Sequence, residues 1–207
     1  MIITKIENQK KNAKRWSIYI DDEFAFGISE DTLMKFGLRV KDEISEESIQ
    51  EIKNFDEYIF AKKTAFDLLA YRIRSIAEIR DKLKSKKISV QTIEKTIEHL
   101  QALGLLNDEQ FALQLVNEKI SGKPVGKQVL RQKLFQKGIK KEIAEKVLDE
   151  VFSTVDEKKL ALTSFKKYFP KLADLEKNKK KKKAFDFLAR KGFDFDTINE
   201  VIRENIK

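Results

Sequence analysis

RDKLKSKKISVQTIEKTI (residues 80–97), RQKLFQKGIKKEIAEKVL (131–148) and FDFLARKGFDFDTINEVI (185–202) are three versions of one pattern. Leu83, Leu134 and Leu188 correspond, 51 and 54 positions apart. After each leucine come a basic pair or a Lys-Gly (Lys86-Lys87, Lys137-Gly138, Lys191-Gly192), an apolar residue (Ile88, Ile139, Phe193) and the start of another helix. A near-constant period of this length means stacked supersecondary units that lean on their neighbours and present an extended surface instead of one enclosed pocket. The fold expected is mainly α: tandem three-helix repeats, three copies in a curved elongated array, preceded by a small N-terminal antiparallel β-sheet.

The composition agrees. Among 207 residues, two prolines and seven glycines leave few helix breakers, and 41% hydrophobic with 37% charged residues describes a folding chain with a highly charged surface. There is no cysteine, which removes disulfides, thiolate metal sites and a Cys nucleophile. No apolar run approaches a membrane span and the N-terminus has no signal-like apolar core, so a cytoplasmic protein is expected. The net charge of +9 points to a polyanionic partner, because clustered Lys and Arg release condensed counterions on binding nucleic acid. Charge is also segregated: residues 42–57 hold seven acids against Lys53 alone.

Residues 1 to about 28 alternate as strands do, with Trp16, Ile18 and Ile20 on one face, Phe24, Phe26 and Ile28 on one face, and Asp21-Asp22 at a turn. Trp16 reads as core more than as a stacking platform. A short helix around Leu33 to Phe36, started by Ser29 or Glu30, should cover this sheet, and the acidic stretch reads as a solvated helical connector. The first repeat should open with an apolar helix from Phe55 to about Arg74, placing Ile59, Phe66 and Leu69 near one face. Capping boxes are expected at Ser75-Ile76-Ala77-Glu78 and Thr154-Val155-Asp156-Glu157, with Asn107 capping between them. The third repeat should break at Pro170, resume after the lysine run and end with Ile198 and Ile202. The domain bounds that follow are 1–54, 55–106, 107–152 and 153–207.

LLAYRIRSIAEIRDKL (68–83), GLLNDEQFA (104–112) and GKQVLRQKLFQKGI (126–139) resemble, in this order, the signature segments of the RecX family of recombination regulators. The resemblance is strong over about 60–150 and reaches the third repeat by internal similarity; the N-terminal sheet is a region where such proteins vary. It implies a protein of DNA repair, recombination and the SOS response that binds the RecA recombinase filament on DNA, in its groove and across protomers, and mainly inhibits ATP hydrolysis and strand exchange. A free-standing helix-turn-helix DNA binder is the alternative, although the helices offer mostly Lys and Glu where base readout needs Asn, Gln and Arg.

The candidate contacts to RecA or DNA are cationic. Arg72, Arg74, Arg80 and Lys82 crowd the join of the first two helices of repeat one, where arginine forks could clamp carboxylate or phosphate. Arg131 and Lys133 recur at matching positions of repeat two, beside Lys137, and that recurrence argues for one shared face. Lys179, Lys180, Lys181, Lys182 and Lys183 form a block suited to phosphates, either as a binding element or as a frayed turn, with Arg190 and Lys191 following. His99, the only histidine, has no companion for a zinc site. With neither a phosphate loop nor a nucleophile elbow, the chain reads as a non-enzyme without cofactor or metal, a monomer with RecA and weakly bound DNA as partners and no small-molecule substrate.

Overall fold

The computed structural model describes residues 1–10 and 12–206, so position 207 of the expected third repeat lies outside the described residues. Three strands, β1 (Ile3–Gln9), β2 (Asn12–Ile20) and β3 (Glu23–Ser29), form an antiparallel meander in that order. Asp21 and Asp22 turn the chain with φ of 49° and 68°, the left-handed pair that a two-residue hairpin demands. Ile18, Ile20, Phe26 and Ile28 are buried as expected, but Phe24 is 59% exposed. A bulge explains the difference: Ile18 pairs with Phe26 and Tyr19 with Phe24, so one extra residue moves Phe24 to the outer face. There its ring meets Tyr19 edge-on at 5.8 Å. Trp16 packs against the sheet core with its Nε1 buried.

Helix α1 (Glu30–Phe36) is capped by Ser29, whose hydroxyl accepts from the Thr32 N–H, and is closed by Gly37 at φ 60°. Helix α2 (Glu46–Tyr71) starts earlier than the expected Phe55, because Ser45 caps it and Glu46 and Glu47 suit the positive end of its dipole. From Glu46 on, the acidic stretch is therefore the first part of one continuous helix, and Ile52 and Asp56 in it are buried. Asp56 pins helix to sheet: it accepts from the Ser29 N–H (2.7 Å), the Thr32 hydroxyl (2.8 Å) and Arg15 Nη2 (3.1 Å). Farther along α2 the small residues Ala61 and Ala65 face inward, while Phe66 is exposed.

The remaining helices come in sets of three. Helices α3 (Ile76–Ser85) and α4 (Val90–Ala102) complete the first set with the end of α2. The second consists of α5 (Asp108–Gly122), α6 (Lys127–Gln136) and α7 (Lys141–Thr154). The third consists of α8 (Glu157–Tyr168), a 3-10 turn at Phe169–Leu172, α9 (Lys177–Arg190) and α10 (Phe195–Asn205). The aligned Leu83, Leu134 and Leu188 are all fully buried, and the second and third sets each have their own apolar centre. Thr154 does not cap α8; it ends α7, donating to the Val151 carbonyl, and Asp156 caps α8 by accepting from the Lys159 N–H. The lysine run is not a turn either, since it forms the opening turns of α9. The chain divides into two compact units, residues 1–72 with 79–105 and residues 73–78 with 106–207.

Candidate nucleic-acid and partner interface

Much of the polar chemistry at the repeats serves stacking. In the second unit, the start of α3 sits on the turn that follows α6. The Ser75 hydroxyl caps α3, accepting from the Glu78 N–H (3.2 Å), and itself donates to the Lys137 carbonyl (2.7 Å). The Ile76 N–H donates to Asp108 Oδ1 (2.8 Å), and Lys137 Nζ donates to Glu78 (2.6 Å). One period later the joint recurs: the Gly126 and Gln128 N–H groups donate to the carbonyls of Lys191 (2.9 Å) and Gly192 (3.2 Å), and the Lys127 N–H to Glu157 Oε1 (3.1 Å). Burial pushes the Glu157 carboxyl above its ordinary range, against the Lys127 N–H, which lowers it.

The joint accounts for the Lys-Gly pairs. A Cβ on Gly138, at φ 72°, would stand 2.3 Å from Ala77 Cβ, and one on Gly192, at φ 82°, 2.5 Å from the Val129 nitrogen. Lys87 holds the same left-handed conformation (φ 62°) but is exposed, so a side chain fits there. What departs from the pattern in sequence thus keeps the pattern in backbone.

Arg80 and Arg131 also recur for a structural reason. Arg80 makes a two-pronged bond to Glu94 on α4, Nε to Oε1 at 2.8 Å and Nη2 to Oε2 at 2.9 Å. Arg131 does the same with Glu145 on α7 at 2.5 and 2.8 Å, and its Nη1 donates to Gln128 at 2.7 Å. The arginine hydrogen bonds hold both carboxyls below their ordinary range against partial burial. In the first two modules the recurring arginine thus ties the second helix to the third. Signal for it was present, since arginine and glutamate are 14 positions apart in both modules.

The other candidates are dispersed. Arg72 follows α2 in extended conformation and is exposed, Arg74 is half-buried, and both have interaction partners within the chain. Lys82 is exposed and Lys133 half-buried. Arg72, Arg80 and Lys82 belong to the first unit, and Arg74, Arg131, Lys133 and Lys137 to the second. Arg190 Nε donates to the Asp186 carbonyl of its own helix, and Lys191 Nζ lies 5.8 Å over the Phe187 ring.

One concentration of positive charge does form a concavity. Lys177, Lys181 and Lys182 of α9 and Arg203 of α10 border an open groove of about 610 Å³, and no acid lines it among the described residues. Lys179, beside it, reaches Glu176 at 3.9 Å. Sequence reading found the lysines but missed Arg203, which stands on the same face of α10 as Asn199. Among the described residues no group of three or more His, Asp or Glu could hold a metal ion, and no helix is long and apolar enough to cross a membrane.

A meander followed by three-helix modules, with charge spread along helix faces and a cationic groove in the last, defines a helical-repeat protein built around surfaces. Comparison with known families matches the chain in four consecutive parts: the regulatory protein RecX N-terminal domain at 1–45 and the first, second and third three-helix domains of RecX at 61–100, 107–148 and 156–202. The N-terminal sheet thus carries family likeness as well. The regulatory protein RecX of Bacillus subtilis (strain 168) is 38% identical over 199 residues, 95% of this chain and 74% of that one. That of Clostridium perfringens (strain 13 / Type A) is 32% identical over 203 residues, 97% and 94% of the two chains. A crystal structure of regulatory protein RecX superposes with a TM-score of 0.74 at 28% identity over 99% of both chains. The RecX structure from Lactobacillus salivarius gives 0.66 at 28% identity over 72% of this chain and 96% of that one. The chain belongs to the RecX family of regulatory proteins.

Proposed function

We propose that this chain regulates the RecA recombinase: it binds the RecA filament along its groove and the DNA within it, and mainly lowers ATP hydrolysis and strand exchange. The observation that carries the reading is the succession of four RecX domains in family order along one chain. The +9 net charge supports a DNA contribution, sequence-indifferent and salt-sensitive. The protein acts as a cytoplasmic monomer without catalysis of its own, by occupying space that the second duplex or the moving protomers need. Exposed cations such as Arg72 and Lys82 supply charge complementarity to acidic protein surface, which sets encounter rate and register more than final affinity.

The test is RecA's DNA-dependent ATPase titrated with the full chain, beside its binding to the same DNA without RecA. Inhibition below stoichiometric protein, at concentrations where free DNA is barely bound, is expected. An ATPase unchanged at excess over RecA overturns the reading. Inhibition that only tracks coverage of free DNA returns the chain to the class of plain DNA binders.

A further inference from the structure

We propose that the groove between α9 and α10 is a site for single-stranded nucleic acid, with phosphates on Lys177, Lys181, Lys182 and Arg203 and one unstacked base against Phe185. The proposal gives a place to the DNA contact in the reading above and rests on it. Its main support is a comparison of the modules with each other. Alignment on the buried leucines puts Phe185 where the other modules have Arg80 and Arg131, and Asn199 where they have Glu94 and Glu145. In those modules an arginine–glutamate fork ties the second helix to the third. In the third module both positions have lost their charge, and Phe185 and Asn199 both line the groove.

Its chemistry selects among anions. Half-buried Phe185, its ring edge-on to Phe195 at 5.7 Å, lines it along with the cations over the buried Ile202 and Ile206, so it offers an aromatic edge and positive charge together. Phosphates of a duplex need only the cations, whereas a single strand also brings a flat base to a ring. The Asn199 amide can donate and accept at a base edge. Lysines at five consecutive positions project around α9 at about 100° intervals, so Lys179, Lys180 and Lys183 extend the positive field beyond the groove. A continuous polyanion uses such a field better than a compact carboxylate does.

The test is fluorescence anisotropy of the full chain, without RecA, with short oligo-dT, a duplex of the same length and a poly-glutamate peptide. Oligo-dT is expected to bind best. Changing Lys181→Gln with Lys182→Gln should reduce its affinity about tenfold at low salt and flatten the log–log salt slope by about 1.4, two single-strand contacts. Phe185→Leu, which keeps the position apolar, should weaken oligo-dT about fivefold and leave the duplex unchanged. Asn199→Ala, at an exposed position, covers the case in which Phe185→Leu lowers the melting point, and should weaken oligo-dT about threefold. Equal loss for strand and duplex in both variants, or no loss, overturns the proposal. Tighter binding of poly-glutamate than of oligo-dT also overturns it and makes the groove a protein-docking site. Because RecA is absent, failure here leaves the ATPase result standing, and the converse holds.

Discussion

Exchanging Lys87 and Gly138 separates what a left-handed turn costs from what the joint inside the second unit costs. Both residues have positive φ, 62° and 72°, but only Gly138 faces a neighbour, where an added Cβ would stand 2.3 Å from Ala77 Cβ. For Gly138→Ala the left-handed conformation costs about 1 kcal/mol. Relieving the overlap requires the start of α3 to withdraw by more than an ångström, which weakens the Ser75–Lys137 and Ile76–Asp108 bonds of 2.7 and 2.8 Å. At about 1 kcal/mol net for each, the total is about 3 kcal/mol. Lys87→Gly removes strain from the folded state and adds freedom to the unfolded one, so it should stay within about 1 kcal/mol of the parent. Urea unfolding of the full chain measures both. The decisive variant is Ala77→Gly with Gly138→Ala, which removes the overlapping methyl and should recover about 2 kcal/mol, leaving the backbone cost. If Gly138→Ala costs no more than 1 kcal/mol, or if Ala77→Gly restores nothing, the joint does not hold as argued.

Asp56→Ala should destabilise the first unit by about 3 kcal/mol in chemical denaturation, because it leaves the Ser29 N–H, the Thr32 hydroxyl and Arg15 without their shared acceptor; a loss under 1 kcal/mol counts against the pin. The forks should carry an acid-sensitive share of stability. The arginine hydrogen bonds hold Glu94 and Glu145 below the ordinary carboxylate range, so what they contribute is present above that range and disappears as the pH falls through their lowered values. Glu94→Gln with Glu145→Gln should melt lower than the parent at neutral pH and lose less on acidification, by about 1 kcal/mol at most for such partly exposed pairs. Glu157 has the opposite sign: its raised value makes its share complete below 4.5 and lost as the pH rises through the folded-state value. Thermal melts of Glu157→Gln against the parent should therefore shift in favour of the variant between acid and neutral pH, and a difference flat with pH refutes the assignment.

The fold was legible wherever periodicity and burial coincide. The 51- and 54-residue register put three leucines into three cores, and the Ser75 cap and the Asp21-Asp22 turn follow from local chemistry alone. Errors fell where the chain had two locally adequate choices. Thr154 and Asp156 can both cap, and α7 extends to Thr154 because Val151 still has a buried place to fill. Phe24 fits an alternating strand, but a bulge is a one-residue event without a composition of its own. The helix was expected to resume only after the lysine run, yet lysine is a good helix former and Ala184 and Leu188 anchor the helix behind it.

The candidate site was less legible because recurrence has two opposite readings in a repeat protein. Charge that returns at the same place can mean a shared binding face, or a bond that each unit needs in order to fold. Arg80 and Arg131 make a bond of the second kind, each to a glutamate of the next helix. The same logic gives weight to positions where a module abandons the bond. A module that drops the fork must be held together otherwise, and the third has Tyr168 stacked on Phe187 at 4.0 Å and Phe165 beside Phe169 at 5.1 Å. With aromatic packing supplying cohesion, the fork positions no longer have to satisfy each other. They become available to a partner, and they lie beside the longest run of positive charge in the chain.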